Sequence, residues 1–323
     1  MHERDGRSDD EQKAIDAIER LLDECSSSLD AAKVLVPALQ QTNVSSDSLF
    51  ERCNELAARS KLDRDPMRVL HHFACTGGTL ISKCLSVMPN TLLLSEVDPF
   101  SSLPLGPSRF APTDLLRLMN ASGNALDAGA TGDVFLAGLR ALHGECLRRG
   151  LRLVLREHSH SQFCVAEEAR LEPSMTSLLR ANFDVLSVVT VRDPLDSYLS
   201  LRANGWVHYS PGTLDEYACR YLQFLDVYDD LPVYRYESFV REPLITTRRL
   251  CDELDLAFNE DAFDYFSAVS MSGDSGRKSD LIAPRERREI PKEISKEMDS
   301  STLFRRLCDR LGYPFAGKIG IVD

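Results

Sequence analysis

Several stretches of this sequence carry side chains suited to holding an anion and moving a proton. In Val69 to Leu85, VLHHFACTGGTLISKCL, an apolar run meets a Gly-Gly-Thr turn and then a helical pattern. A glycine-rich turn at a helix start leaves backbone N–H groups unpaired and points the helix dipole at the same spot, which attracts phosphate. The stretch is not a Walker A loop, because Gly78 is followed by Thr79 and Lys83 lies a full turn into the helix. In Val188 to Ser200, VVTVRDPLDSYLS, a strand ends on Arg192 and a helix opens with Pro194 at its first position. Ser197 and Ser200 share a face of that helix. An arginine fork, a helix start and a hydroxyl make a second phosphate site; an Arg-Asp pair on a capped helix is the plainer alternative for this stretch alone.

Leu153-Val-Leu-Arg156-Glu157-His158 runs a strand into a histidine, whose ordinary pKa near neutrality suits it to accept a hydroxyl proton. His160 lies on the same side if the segment stays extended, and is the rival base. A His-Ser-His pair with no carboxylate or cysteine at ligand spacing points away from a metal. Glu96 and Asp98, at the end of another apolar run, either position an acceptor group or stabilise an Asp-Pro turn. His71 and His72 point to opposite faces of one strand, so at least one is a hydrogen-bonded core histidine. The glycine-punctuated Ser272 to Ser279 carries Arg277 and Lys278, and Arg285, Arg287 and Arg288 follow. The trailing arginines read as a solvated helix face.

The elements that must position these groups alternate short apolar runs with longer helical patterns from Arg68 onward, the signature of an α/β fold around a parallel sheet. Five strands are expected: 68–73, 91–95, 151–156, 184–191 and 233–236. Chemistry belongs beyond their carboxyl ends. A helical insert at 113–149 lies between the second and third strands. Residues 1–65 read as a helical appendage and linker, with Ser48 and Glu51 placed as a capping box and Asp65-Pro66 ending the polar bridge from Arg59; the α/β domain takes 66–323.

The 323 residues, 43% hydrophobic, suffice for a large core, and a net charge of -12 disfavours a nucleic-acid partner. Nine scattered cysteines without a C-x-x-C pair fit reduced thiols. No apolar run is long enough to span a bilayer, and the charged start lacks an apolar targeting core, so a cytoplasmic location is expected. An amphipathic appendage is compatible with packing on its own domain or on a partner in a homo-oligomer.

Together the two anion sites resemble those of the sulfotransferases that use 3′-phosphoadenosine 5′-phosphosulfate (PAPS). That family's first loop reads Lys-Ser-Gly-Thr-Thr or a variant, and Cys75-Thr76-Gly77-Gly78-Thr79, with Leu80 next, is similar to it. Its second site pairs an arginine with a serine eight positions on, as Arg192 pairs with Ser200. Arg156-Glu157-His158 resembles the Lys-Thr-His carrying the base, Tyr236 falls in a segment like Tyr-Glu-Asp, and Arg277-Lys278-Ser279 resembles a late Arg-Lys-Gly loop. The resemblance implies a three-layer α/β/α fold of P-loop nucleotide-binding type and a sulfuryl transfer from PAPS to a hydroxyl or amine of a small-molecule or lipid-like acceptor, without a metal. By it, Cys75 to Leu80, Arg192, Ser200, Tyr236, Arg277 and Lys278 bind the nucleotide, and His158 is the base. Packing of Tyr236 into the core is the alternative for that ring.

The chain departs from the family at Cys75, where a lysine or arginine neutralises the leaving group. Lys83, Arg156 or the Arg277-Lys278 pair supplies the charge, or backbone donors suffice, or the protein binds nucleotide as a sensor or scaffold without efficient transfer. A small-molecule kinase would need a Walker lysine and a strand-end aspartate for magnesium, neither of which is in place.

Overall fold

All six residues of Met67–His72, β1, are buried, as a strand covered on both faces requires. In this computed structural model, which describes residues 65–101, 103, 114–120, 127–271 and 281–315, β1 is the centre of a parallel sheet. It is flanked by β3 (Arg152–Glu157) and β4 (Val185–Val191), with β2 (Thr91–Val97) beyond β3 and β5 (Val233–Arg235) beyond β4. The order is β2-β3-β1-β4-β5. Each strand falls within two residues of its expected bounds, because each apolar run ends where polar residues begin.

The helices are α1 (Gly78–Ser86), α2 (Leu115–Asn120), α3 (Ala128–Arg148), α4 (Ser159–Phe163), α5 (Met175–Arg180), α6 (Pro194–Ala203), α7 (Leu214–Val227), α8 (Tyr236–Arg241), α9 (Pro243–Glu253), α10 (Glu260–Phe263), α11 (Lys292–Ser300) and α12 (Thr302–Leu311). They cover both faces of the sheet. On one face Val69 packs with Leu139 and Cys146 of α3 and Met175 and Leu179 of α5. On the other, Leu70 packs with Ile81 and Leu85 of α1, Val188, Phe239 of α8 and Leu250 of α9. The architecture is therefore the expected three-layer α/β/α, and none of the described helices is long and apolar enough to cross a membrane.

The sheet is anchored at the end opposite the strand tips. Arg68 is fully buried, and its guanidinium donates to the Leu254 carbonyl at 2.6 Å and pairs with Asp65 at 2.8 Å and Asp255 at 2.9 Å. Asp65 also takes Arg152 at 2.6 Å and His143 at 3.3 Å. The polar bridge expected over 59–68 thus ends in residues fixed by ion pairs rather than in a loose linker. The chain divides into two units, Met1–Leu56 and Ala57–Asp323, and every described residue belongs to the second. The expected appendage, save Asp65, lies outside the described residues. Within the insert lie α2 and α3, and α3 starts inside the Gly- and Ala-rich stretch 122–132 read as an interruption, where Asp127 accepts a hydrogen bond from the Ala130 amide.

Candidate functional site

Phe73 leaves β1 and is locked by aromatic packing: its ring stacks on Tyr221 with centroids 4.3 Å apart and meets Tyr217 edge-on at 5.6 Å. Each such pair contributes about 0.5–1.5 kcal/mol beyond its buried area, so the first loop starts from a fixed point. Thr76 turns the chain back, both its amide and its hydroxyl donating to the Phe73 carbonyl. Cys75 and Gly77 adopt left-handed φ of 63° and 89°. Gly77 caps α1 without a side-chain hydrogen bond, so no side chain covers the positive end of that helix.

Both glycines are required by what they touch. A Cβ on Gly77 would lie 2.3 Å from the Tyr236 ring, and one on Gly78 would lie 2.4 Å from the His72 ring. These rings carry the site's two arginines. His72 donates from Nδ1 to the Phe73 carbonyl at 3.1 Å, so its Nε2 accepts from Arg156 Nε at 3.1 Å. Burial and the adjacent guanidinium hold His72 well below the ordinary histidine pKa, which keeps it a neutral acceptor. Arg156, 1% exposed, also donates from Nη1 to Thr79 Oγ1 at 3.0 Å. A buried guanidinium therefore stands on the first loop, where the sequence lacks a cation at Cys75. The Cys75 thiol itself is pushed up to about 11 by burial, against the pull of Arg192 and Arg288, and is neutral.

Arg192 follows β4 and reaches across to that loop: Nη1 donates to the Cys75 carbonyl at 3.4 Å, and the guanidinium lies 4.9 Å from the centroid of Tyr236, whose ring covers Gly77. Tyr236 thus closes the core, as the alternative for that ring has it, and carries Arg192 on its face. Asp193 accepts from the amides of Leu195 at 2.9 Å and Asp196 at 3.1 Å, so the start of α6 is capped internally, as the plainer alternative for this stretch has it, and those amides are taken. Ser200 is half-buried about two turns along α6, and Ser197 Oγ is buried with no hydrogen-bond partner among the described residues. Arg287 is not a solvated helix residue: it pairs with Asp193 at 2.6 Å and Asp196 at 2.7 Å, tying residues 281–290 to α6. Arg277 and Lys278 lie outside the described residues.

His158 follows β3. Its Nε2 is 2.8 Å from Glu96 Oε2, and the other oxygen of Glu96 is ion-paired with Arg156. Burial, reinforced by Arg156 and opposed by Asp98 and Glu157, pulls His158 down to about 4, so it is a neutral base at pH 7. The segment does not stay extended, because α4 begins at Ser159. His160 turns its Nε2 to the Trp206 carbonyl at 2.9 Å, its ring 6.0 Å from that of His158. Asp98 serves the turn, accepting from Phe100 N at 3.0 Å and pairing with Arg170 and Ser161. Both β1 histidines are held: His71 pairs with buried Glu157 at 2.7 Å behind the site. Among the described residues no group of three or more His, Cys, Asp or Glu is placed to hold a metal. Sequence reasoning weighed Glu96 as a contact to the acceptor or part of a turn and His72 as one of a pair with at least one core histidine; it did not find the links of Glu96 to His158 and of His72 to Arg156.

No protein-family model and no curated protein matches the chain. Among solved structures it is similar to a sulfotransferase domain from the curacin biosynthetic pathway, at 16% identity and TM-score 0.45 over 78% of this chain and 99% of that one. A sulfotransferase domain from the Synechococcus PCC 7002 olefin synthase matches at 16% identity and TM-score 0.41, over 78% and 96%. The mouse sulfotransferase SULT7A1, complexed with PAP, matches at 11% identity and TM-score 0.38, over 83% and 96%.

Proposed function

We propose that this chain is a sulfotransferase that moves a sulfuryl group from PAPS to a hydroxyl or amine of a small-molecule or lipid-like acceptor. The observation that carries the reading is the reach of Arg192 from the tip of β4 onto Cys75 of the loop after β1, while Arg156 donates to Thr79 of the same stretch, so that both arginines meet at one loop. A ligand with two separate anionic groups fits that arrangement. The start of α1 with Thr79 and Arg156 would hold the 5′-phosphosulfate, and Arg192 with Ser200 the 3′-phosphate. When bound, PAPS supplies an activated sulfuryl group on a good leaving group.

The chain's own residues do the rest. His158 accepts the acceptor's proton as its oxygen or nitrogen bonds to sulfur; the bond from sulfur to the 5′-phosphate oxygen breaks, and 3′,5′-ADP leaves with that electron pair. Arg156 and the amides of Gly78 and Thr79 stabilise the charge gathering on the bridging oxygen, a fixed-dipole effect that is strong in a site shielded from water. Arg156 thus takes the place of the cation missing at Cys75. General-base catalysis is worth typically 10² to 10⁴ in rate, so His158→Ala should lose activity by about that factor.

Thermal denaturation tests the reading. 3′,5′-ADP without magnesium should raise the melting temperature, a saturating ligand at about 100 times its Kd adding about 2.7 kcal/mol. Arg192→Ala should abolish the shift, and Mg-ATP should not replace 3′,5′-ADP. No shift at high concentration would end the proposal. The neutral thiol at Cys75 favours one second reading, a nucleotide sensor; binding without turnover of any acceptor, unaltered by His158→Ala, would establish that one instead.

A further inference from the structure

Glu96 stands in a place that the ordinary course of a strand does not reach. Its φ is 63°, in the left-handed region that a residue with a Cβ enters only when its surroundings enforce it. The β2–β3 pairing slips between Leu94 and Val97 and re-forms at Val97 opposite Glu157, where the His158 amide donates to the Val97 carbonyl at 3.0 Å. The irregularity spans Ser95 and Glu96, and it is the carboxylate of the second that joins Arg156 to His158. The turn beyond it is held by Asp98 and does not need Glu96.

We propose that Glu96 is a positioning residue that fixes the tautomer of His158, accepting the Nε2 proton and leaving Nδ1 as the atom that takes the acceptor's proton. The inference rests on the reading of His158 as base. An ionised carboxylate only accepts hydrogen bonds, so a neutral imidazole facing it through Nε2 must carry its proton there. No described residue hydrogen-bonds Nδ1, whose lone pair is the one left for proton transfer. Glu96 cannot easily turn away: its first oxygen faces a guanidinium that is 1% exposed and is itself held by Thr79 and His72.

This geometry gives Glu96→Gln a specific consequence. Arginine is always a donor, so the carboxamide must turn its oxygen to Arg156 and its NH₂ to His158. Nε2 would then accept, and the proton would move to Nδ1, disabling the base. A wrong-tautomer histidine in a serine-protease triad costs roughly 10⁴ in turnover, which sets the scale of the expected loss with any acceptor that gives turnover. Glu96→Asp remains acceptor-only and should keep the native tautomer.

Long-range ¹H–¹⁵N correlation spectra of the full chain labelled in histidine, with the His158 signal assigned from a His158→Gln spectrum, read the tautomer directly. The expected result at pH 7 is Nε2–H in the wild type and in Glu96→Asp, and Nδ1–H in Glu96→Gln. If Glu96→Gln does not fold, Glu96→Ala should lose the single Nε2–H form. A wild-type His158 protonated on Nδ1, or an Nε2–H signal that persists in Glu96→Gln or Glu96→Ala, overturns the proposal. The shift with 3′,5′-ADP separates the two claims: its absence in the wild type defeats the sulfotransferase reading while the spectra still report on Glu96. Its retention in Glu96→Gln shows that any loss of turnover lies in the base and not in donor binding.

Discussion

Burial holds His72, His158 and His160 neutral, and this sets how the protein responds to acid. His158 and His160 are each drawn down to about 4 from an ordinary 6.5, and His72 lies well below 6.5 too. Between pH 6.5 and 4 the unfolded chain therefore binds protons that the folded chain refuses, so stability falls as pH falls through that window and is fully present above it. Glu157, held low by His71 and hydrogen bonds from Tyr228 and Thr176 despite its burial, extends the loss to more acid pH. Urea denaturation at pH 7, 6 and 5 should show a steadily lower midpoint; a flat profile over that range would contradict this account. His158, Arg192 and Ser200 could be singled out as candidates from the sequence because their types and spacing are tied to one segment each. The partners of Glu96 and His72 could not, because a residue's hydrogen-bond partner across strands is decided by register and by a local slip in pairing that no single segment encodes.

At the scale of the element, the first loop is a turn packed between two rings. Gly77→Ala must place a Cβ against Tyr236 at a left-handed φ, and Gly78→Ala must displace the ring that carries Arg156. Overpacking and backbone strain of this kind each cost about 1–3 kcal/mol. Both variants should lose about that much in chemical denaturation. The two should differ in binding: Gly77→Ala disturbs the Arg192 side and should weaken 3′,5′-ADP most, as isothermal titration would read. The strands themselves were legible, each being an apolar run stopped by polar residues. The left-handed Cys75 was not, since that conformation ordinarily announces itself with glycine or asparagine. The cap of α6 was legible only as the plainer alternative, because Asp193 reads equally well as an exposed partner for Arg192.

For the molecule as a whole, the sheet is fixed at the end remote from the site by an ionic network centred on Asp65. Removing one partner of a buried pair strands the other charge, at a cost of about 3–5 kcal/mol. Asp65→Ala should therefore destabilise by about that amount by uncovering Arg68, while the 3′,5′-ADP affinity of the folded fraction stays unchanged. That network joins residues far apart in sequence, such as Asp65, Arg152 and Asp255, and a polar run before a strand gives no sign of it. The chain also holds a single tryptophan, Trp206, half-buried with its indole 6.2 Å from the His160 ring. The ultraviolet-excited emission of the entire protein at 295 nm therefore comes from one point beside His160, whose ring neighbours that of the candidate base. An acceptor that enters there announces itself as a change in colour or brightness of that light, with no label attached.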